Sequence, residues 1–254
     1  METLTVWGER EGIETDGLTP VPARRSFVAA RDLPAGSTVV RVPQKCLLYA
    51  PHPQHDHAPH FRQLLSQGAQ DEATGSSGPG DPRHVLCVLL ILERARGEES
   101  KWAPYLNILP GSHDDPFWWQ EDQVQLLRGT RLGRAVNPEN SGISSIMRLV
   151  QHLESLITHG RPPGSPPSVL ASYRGGWALT VEAARWARSV VWSRAFTVPH
   201  VEGSPPNTVA LVPVLDMIDH DPHVEVIWHT GVDGCSDFQF VSLTPFAKVC
   251  SSME

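Results

Sequence analysis

The stretch Leu211-Val212-Pro213-Val214-Leu215-Asp216-Met217-Ile218-Asp219-His220 is an apolar run that stops at two acids and a histidine. From Thr208 to Val214 the residues are branched and apolar with no polar alternation, the pattern of a strand covered on both faces. Asp216 and Asp219 follow where such a strand leaves the core. Just upstream, Trp192-Ser193-Arg194-Ala195-Phe196 closes a second pattern. Ala183, Trp186, Ala187, Val190 and Val191 recur at helical spacing, with Thr180 as N-cap and Glu182 in the first turn. Ser193 and Arg194 then belong at the exposed C-terminal end of that helix. A polar helix end and an acidic strand end form one pocket only if the fold sets them side by side, and every functional expectation rests on that proximity.

Upstream of this pair, Val85 to Leu92 is the longest apolar run, far short of the roughly 20 residues that cross a bilayer, and reads as a buried helix. Asp81 as cap, Pro82 at the first helical position and Gly97 just past Arg96 punctuate it. A second amphipathic helix is predicted from Ser144 to His159, closed by Gly160. Before about Leu48 the sequence alternates like short strands, most clearly at Phe27 to Ala30 and Val39 to Val42. Near the end, Val224 to Trp228 and Phe238 to Leu243 predict a hairpin across Gly231 to Gly234. Ser66 to Gly80, Gly160 to Ser168 and His200 to Asn207 are rich in Gly, Ser or Pro and read as flexible connections. Strands, then helices, then strands predict an α+β fold, a β-rich domain of short strands interrupted by a largely helical insert. The corresponding division is residues 1–60, the insert 61–192, residues 193–245 and a divergent tail 246–254. No internal repeat is present.

At 254 residues, 40% of them hydrophobic, the chain can bury a sizeable core. A formal charge of -7 without a stripe of Lys and Arg argues against nucleic acid as a partner. Cys46, Cys87, Cys235 and Cys250 are scattered and form no metal-ligand spacing, which predicts reduced thiols. Glu2, Glu9, Arg10 and Glu11 stand where a secretory signal would be basic and then apolar. An intracellular protein, cytoplasmic or nuclear, not bound to membrane and monomeric, is expected.

The paired stretches resemble the SET-domain protein-lysine methyltransferases, specifically the branch similar to the Rubisco large-subunit methyltransferase, whose members carry a Ser-Arg-Ala-Phe-like element and then a Pro-x-x-Asp-x-x-Asn-His element. Trp102 to Pro110, Phe117, Trp118, Leu126 to Thr130, and Phe27 to Pro43 with Ala30, Arg31, Asp32, Leu33 and Gly36 are similar to that branch in the same order. The resemblance implies S-adenosylmethionine as cofactor and a protein substrate presenting a lysine, the two meeting in a narrow channel where catalysis is mainly positioning and charge placement. It implies that Ser193 and Asp216 present backbone carbonyls to the lysine amine and that Phe196 lines the channel. By the same resemblance Arg194 would pair with the cofactor's carboxylate, for which a guanidinium fork is well shaped. The resemblance likewise implies that Asp219 and His220 hold its ammonium and adenine, and that Ala23 and Arg25 stand in the turn that approaches it.

Three departures accompany the likeness. Asp219 replaces the family's Asn. The Gly-x-Gly turn near the N-terminus is replaced by Ala23-Arg24-Arg25-Ser26-Phe27, and side chains there disfavour positive φ, which implies a looser or shifted cradle. After Pro245 the family's Tyr-Gly element, source of its catalytic tyrosine, is not found; Tyr49, Tyr105 and Tyr173 sit in regions with other expected roles. The resemblance therefore implies a C-terminally truncated chain, with no catalytic residue assigned and poor or no transfer expected.

Two other functions compete. One is a non-catalytic interaction protein on a SET-like scaffold. The other is a metal-dependent hydrolase using Asp216, Asp219, His220, Asp221 and His223, although no second ligand set at metal spacing accompanies them. His52, His55, His57 and His60, interleaved with Pro51, Pro53 and Pro59, read as solvated histidines on an exposed loop.

Overall fold

The computed structural model describes residues 1–53, 55, 57–73, 81–137, 142–159, 170–219, 221, 223–230 and 236–248, the side chains of 67–73 and 171–172 apart. Two units alternate along the chain. The first comprises Met1–Leu48, Pro104–Ile108 and the described residues from Arg194 on; the second comprises Tyr49–Ala103 and Leu109–Ser193.

The first unit opens with helix α1 (Glu2–Glu11), which buries Leu4, Trp7 and Gly8 and stops at Gly12 in the left-handed region at φ 88. The alternation read as short strands before about Leu48 does not extend to these first residues, which are helical instead. Their apolar positions span one helical turn, too few for a periodic signal. Short strands follow: β1 (Glu14–Thr15), β2 (Leu18–Val21), β3 (Ser26–Ala29), β4 (Thr38–Val42) and β5 (Leu48–Tyr49), then β6 (Ala195–Val198), β7 (Thr208–Leu211), β8 (Val226–His229) and β9 (Phe238–Ser242). They form a sheet in the order β1-β4-β9-β8, a β2-β3 hairpin, and a β6-β7 hairpin in which Phe196 faces Ala210. In the largest sheet, antiparallel β8 and β9 set Trp228 opposite Phe240. Val39, Val40, Val42, Phe27, Leu211 and Phe238 are buried in this unit's core.

The second unit is helical: α2 (Ala58–Ala73), α3 (Pro82–Arg96), α5 (Glu121–Gln125), α6 (Arg131–Ala135), α7 (Ile143–Thr158) and α8 (Val181–Arg194), whose last residue, Arg194, belongs to the first unit, as does α4 (Ala103–Leu106) from Pro104 on. Punctuation expected for α3 is present: the Asp81 carboxylate accepts the Arg83 N–H at 2.8 Å, Pro82 opens the helix, and Gly97 follows it at φ 64. Val85 to Glu93 and Ala95 are all buried. In α7, Ile146, Leu149, Val150 and Leu153 form the buried stripe that its periodicity predicts. Gly160 to Ser168 and Gly231 to Gly234 lie outside the described residues.

Two expectations are corrected here. α2 continues through Ala73 into the stretch read as a flexible connection from Ser66, because Phe61 and Leu64, one turn apart, anchor it in the core. His52 and His55 are buried rather than solvated, since a buried carboxylate on α3 supplies a partner: His55 Nε2 lies 3.0 Å from Glu93 Oε1. Ser100 also donates to Glu93, the His57 N–H donates to His55 Nδ1 at 3.1 Å, and His52 stands edge-on to Trp102. Cys46 and Cys87 are buried thiols. No helix among the described residues is long and apolar enough to cross a membrane.

Candidate functional site

The acidic corner is made by a break in the strand. β7 ends at Leu211, three residues before the predicted end; Pro213 has no N–H for a ladder, and Val214 turns the backbone at φ 74 and ψ -49. Positive φ is unfavourable for a β-branched residue, at a cost of roughly 1–3 kcal/mol that the surrounding packing must offset. The turn continues as a 3-10 turn over Leu215–Met217 and carries the Asp216 side chain inward, to 1% exposure.

Two groups meet that carboxylate. Arg194, the last residue of α8, donates from Nη1 to the Asp216 backbone carbonyl at 2.9 Å, with Asp216 Oδ2 at 3.4 Å and Met217 Sδ at 3.3 Å. The Tyr105 hydroxyl donates to Asp216 Oδ2 at 2.7 Å. Asp216 Oδ1 is buried without a partner. Burial pushes the Asp216 carboxyl up to about 6, against the pull of the Arg194 charge and the Tyr105 hydrogen bond. Burial, then the neighbouring Asp216 charge, pushes the Tyr105 phenol well above its ordinary value.

The Ala23–Phe27 turn reaches the same corner. Pro22–Arg24 is a 3-10 turn that follows β2, with Ala23 in it and Arg25 just after it both exposed, and Phe27 on β3 forms an isolated parallel bridge with Ile218. Arg25 adopts the left-handed conformation, φ 52 and ψ 40, where the resemblance has glycine. The side chain does not prevent the turn; it costs about 1–2 kcal/mol relative to glycine's free choice. Ser26 is buried, its hydroxyl without a partner. Asp219 is exposed beside Ile218, and His220 lies outside the described residues.

The other predicted residues fall as follows. Phe196, on β6, is tilted edge-on to Trp228 and Phe238, with ring centres 5.9 and 6.1 Å away. Ser193 is exposed, and its hydroxyl turns back onto its own helix, donating to Ser189 O at 2.7 Å. The Asp216 carbonyl assigned to a lysine amine is engaged by Arg194. As predicted, α8 is capped by Thr180, whose hydroxyl accepts the Ala183 N–H at 3.1 Å. The family-like insert packs on this helix in the second unit: Trp186 Nε1 donates to Pro110 O at 2.8 Å and Trp118 Nε1 to Ser189 Oγ at 2.9 Å. Tyr105 was missed. A tyrosine in the apolar run Pro104-Tyr105-Leu106 needs a partner for its hydroxyl, but local sequence does not say which. Among the described residues no group of three or more His, Cys, Asp and Glu is placed to hold a metal ion, and Asp216 faces Tyr105 and Arg194 while Asp219 is exposed.

No protein-family model matches the chain. Over 97% or more of its length the chain superposes on solved SET domains; against Rubisco LSMT bound to sinefungin and monomethyllysine the TM-score is 0.65 at 20% identity, covering 98% of this chain and 50% of that one. The protein has a SET-domain fold of the Rubisco LSMT kind. Among curated proteins, this SET domain is 28% identical over 221 residues to the actin-histidine N-methyltransferase of Dasypus novemcinctus, covering 85% of the chain and 34% of that protein. It is 26% identical over 230 residues to SET domain-containing protein 4 of Homo sapiens, covering 88% and 47%. The chain thus spans about a third to a half of the length of these relatives.

Proposed function

We propose that this SET domain binds S-adenosylmethionine and passes its methyl group to a side-chain nitrogen of a protein, a lysine. The observation that carries the reading is the convergence, within one unit, of Arg194, Asp216 and the Ala23–Phe27 turn. The donor set suits such a molecule. Arg194 spends one nitrogen on Asp216, leaving its Nε–Nη2 edge for a carboxylate in fork geometry. Asp219 is an exposed acceptor for an ammonium, and Ser26 Oγ and Asp216 Oδ1 are buried polar atoms without partners.

When bound, S-adenosylmethionine supplies an electrophilic sulfonium methyl. The chain's residues bind, orient and exclude water: Arg194 fixes the donor's carboxylate, the ionised Asp216 favours nearby positive charge, and Phe196 with Trp228 and Phe238 walls the approach. The Tyr105 hydroxyl donates to Asp216, and donor affinity is the first readout. A lysine acceptor accords with the lysine-bound structural neighbours, a histidine acceptor with the actin-histidine relatives.

Calorimetry with S-adenosylmethionine tests the first half: measurable binding that drops at least about tenfold in Arg194→Ala is expected, matching the loss of a charge-assisted fork. Unchanged affinity would remove Arg194 from the site. Labelled donor with actin and with lysine peptides tests the second half, since acid hydrolysis separates methyllysine from methylhistidine. Label in methylhistidine alone would replace the lysine reading.

A further inference from the structure

We propose that Tyr105 is a positioning residue of the donor site: its hydroxyl fastens the Asp216 side chain, and Asp216 in turn sets the Arg194 guanidinium in the orientation that receives a carboxylate. The inference rests on the reading above that Arg194 holds the methyl donor. It adds a residue from a separate segment and makes donor affinity proton-linked.

Geometry carries the argument. All contacts of Arg194 with the corner use Nη1: the Asp216 carbonyl at 2.9 Å, Asp216 Oδ2 at 3.4 Å and Met217 Sδ at 3.3 Å. Anchoring one nitrogen against backbone and carboxylate orients the planar fork and presents its opposite edge. What holds the anchor is Asp216, and Asp216 Oδ2 has one short donor, the Tyr105 hydroxyl at 2.7 Å. Oδ1 has none. The Tyr105 ring is fully buried and its hydroxyl already points at the carboxylate, so the contact is made without ordering a mobile side chain.

The titratable and charged groups facing Asp216 are Tyr105 from α4 and Arg194 from α8; Met217 in its own turn is neutral. Both groups favour the ionised carboxylate, whereas burial opposes it. Taking away the Tyr105 hydroxyl leaves burial opposed by Arg194 alone, and the proton is held to higher pH. A neutral Asp216 grips Arg194 less well, and the donor's positive sulfonium loses a nearby negative charge. Donor binding therefore weakens as pH falls through the Asp216 titration, and loss of Tyr105 moves that fall upward.

The test is S-adenosylmethionine affinity by calorimetry between pH 5 and 8.5 for the unsubstituted chain, Tyr105→Phe and Asp216→Asn. In the unsubstituted chain, affinity is expected to be level above pH 7 and to decline through about 6. In Tyr105→Phe the decline moves up by about one pH unit, giving about twofold weaker binding at pH 7, about fivefold weaker binding at pH 6, and convergence toward pH 8.5. Asp216→Asn binds weakly and with no inflection, and because it keeps the side-chain volume it serves if the tyrosine variant does not fold. A merely structural Tyr105 would lower affinity equally at every pH. A parallel or unshifted Tyr105→Phe profile, or an inflection surviving in Asp216→Asn, overturns the proposal alone; absence of donor binding by the unsubstituted chain at any pH overturns the donor-site reading beneath it.

Discussion

Asp216 is ionisable where water hardly reaches, 1% exposed and with one carboxylate oxygen unpartnered. Its carboxyl rises from 3.8 to about 6, so the folded state binds this proton more tightly than the unfolded chain does. The favourable contribution is full below pH 3.8 and is lost as pH rises through 6, leaving a penalty on the order of 3 kcal/mol on the ionised form near neutrality. Asp216→Asn removes the charge and keeps the shape. It is expected to be more stable than the unsubstituted chain by about 1–3 kcal/mol at pH 7.5, with the difference vanishing toward pH 4. Denaturant melts at both pH values check this, and a variant less stable at pH 7.5 contradicts it. A residue that destabilises its own fold at neutral pH, in a turn strained at Val214, is consistent with the site proposed above. Arg25 makes the same point from the other side of the corner, holding a left-handed turn without glycine.

At the scale of elements, α3 carries a buried carboxylate of opposite sign. Burial alone would raise Glu93; the hydrogen bonds from His55 and Ser100 outweigh it and hold the carboxyl below its ordinary value, with Arg96 assisting. Its contribution is therefore present above the ordinary carboxylate range and lost as pH falls through the lower folded value. Glu93→Ala strands His55 and Ser100 and is expected to cost about 3–5 kcal/mol at pH 7, read as a lower midpoint in denaturant. A loss under about 1 kcal/mol would mean that the cluster relaxes without it. The elements themselves were legible where signals are local. α3 and α8 announce their caps and buried faces within a few residues, and the hairpin of β8 and β9 shows as two β-rich runs. The histidines before α2 misled because the partner of His55 lies on α3, beyond any local pattern. Tyr105 and Asp216 are 111 residues apart, so motif reading found the aspartate and not the hydroxyl that holds it. Arg194 and Asp216, 22 residues apart, each stand in a locally legible motif, at the end of a helix and the end of a strand.

Over the whole molecule, strands, helices and strands in that order describe an α+β SET fold with apolar cores in two units, and stability is distributed unevenly across them. In α3, ten of fifteen residues are buried, capped at both ends, and such amides open only with the cooperative unit. α5 and α6 are five residues each, bury none, and leave Leu126 83% and Leu132 44% exposed. Helices so short do not persist on propensity, and caps at Gln120 and Thr130 add about 1 kcal/mol each at most. Native-state hydrogen exchange is therefore expected to show α3 amides protected at least about a thousandfold more than those of α5 and α6, spanning most of the range from local fraying to global unfolding. Comparable protection across Glu121 to Ala135 would mean that this segment is covered in solution, by another copy or within its own chain, on its exposed leucines. Exchange measured at two protein concentrations separates those cases, because cover by a second copy strengthens with concentration and cover within one chain does not.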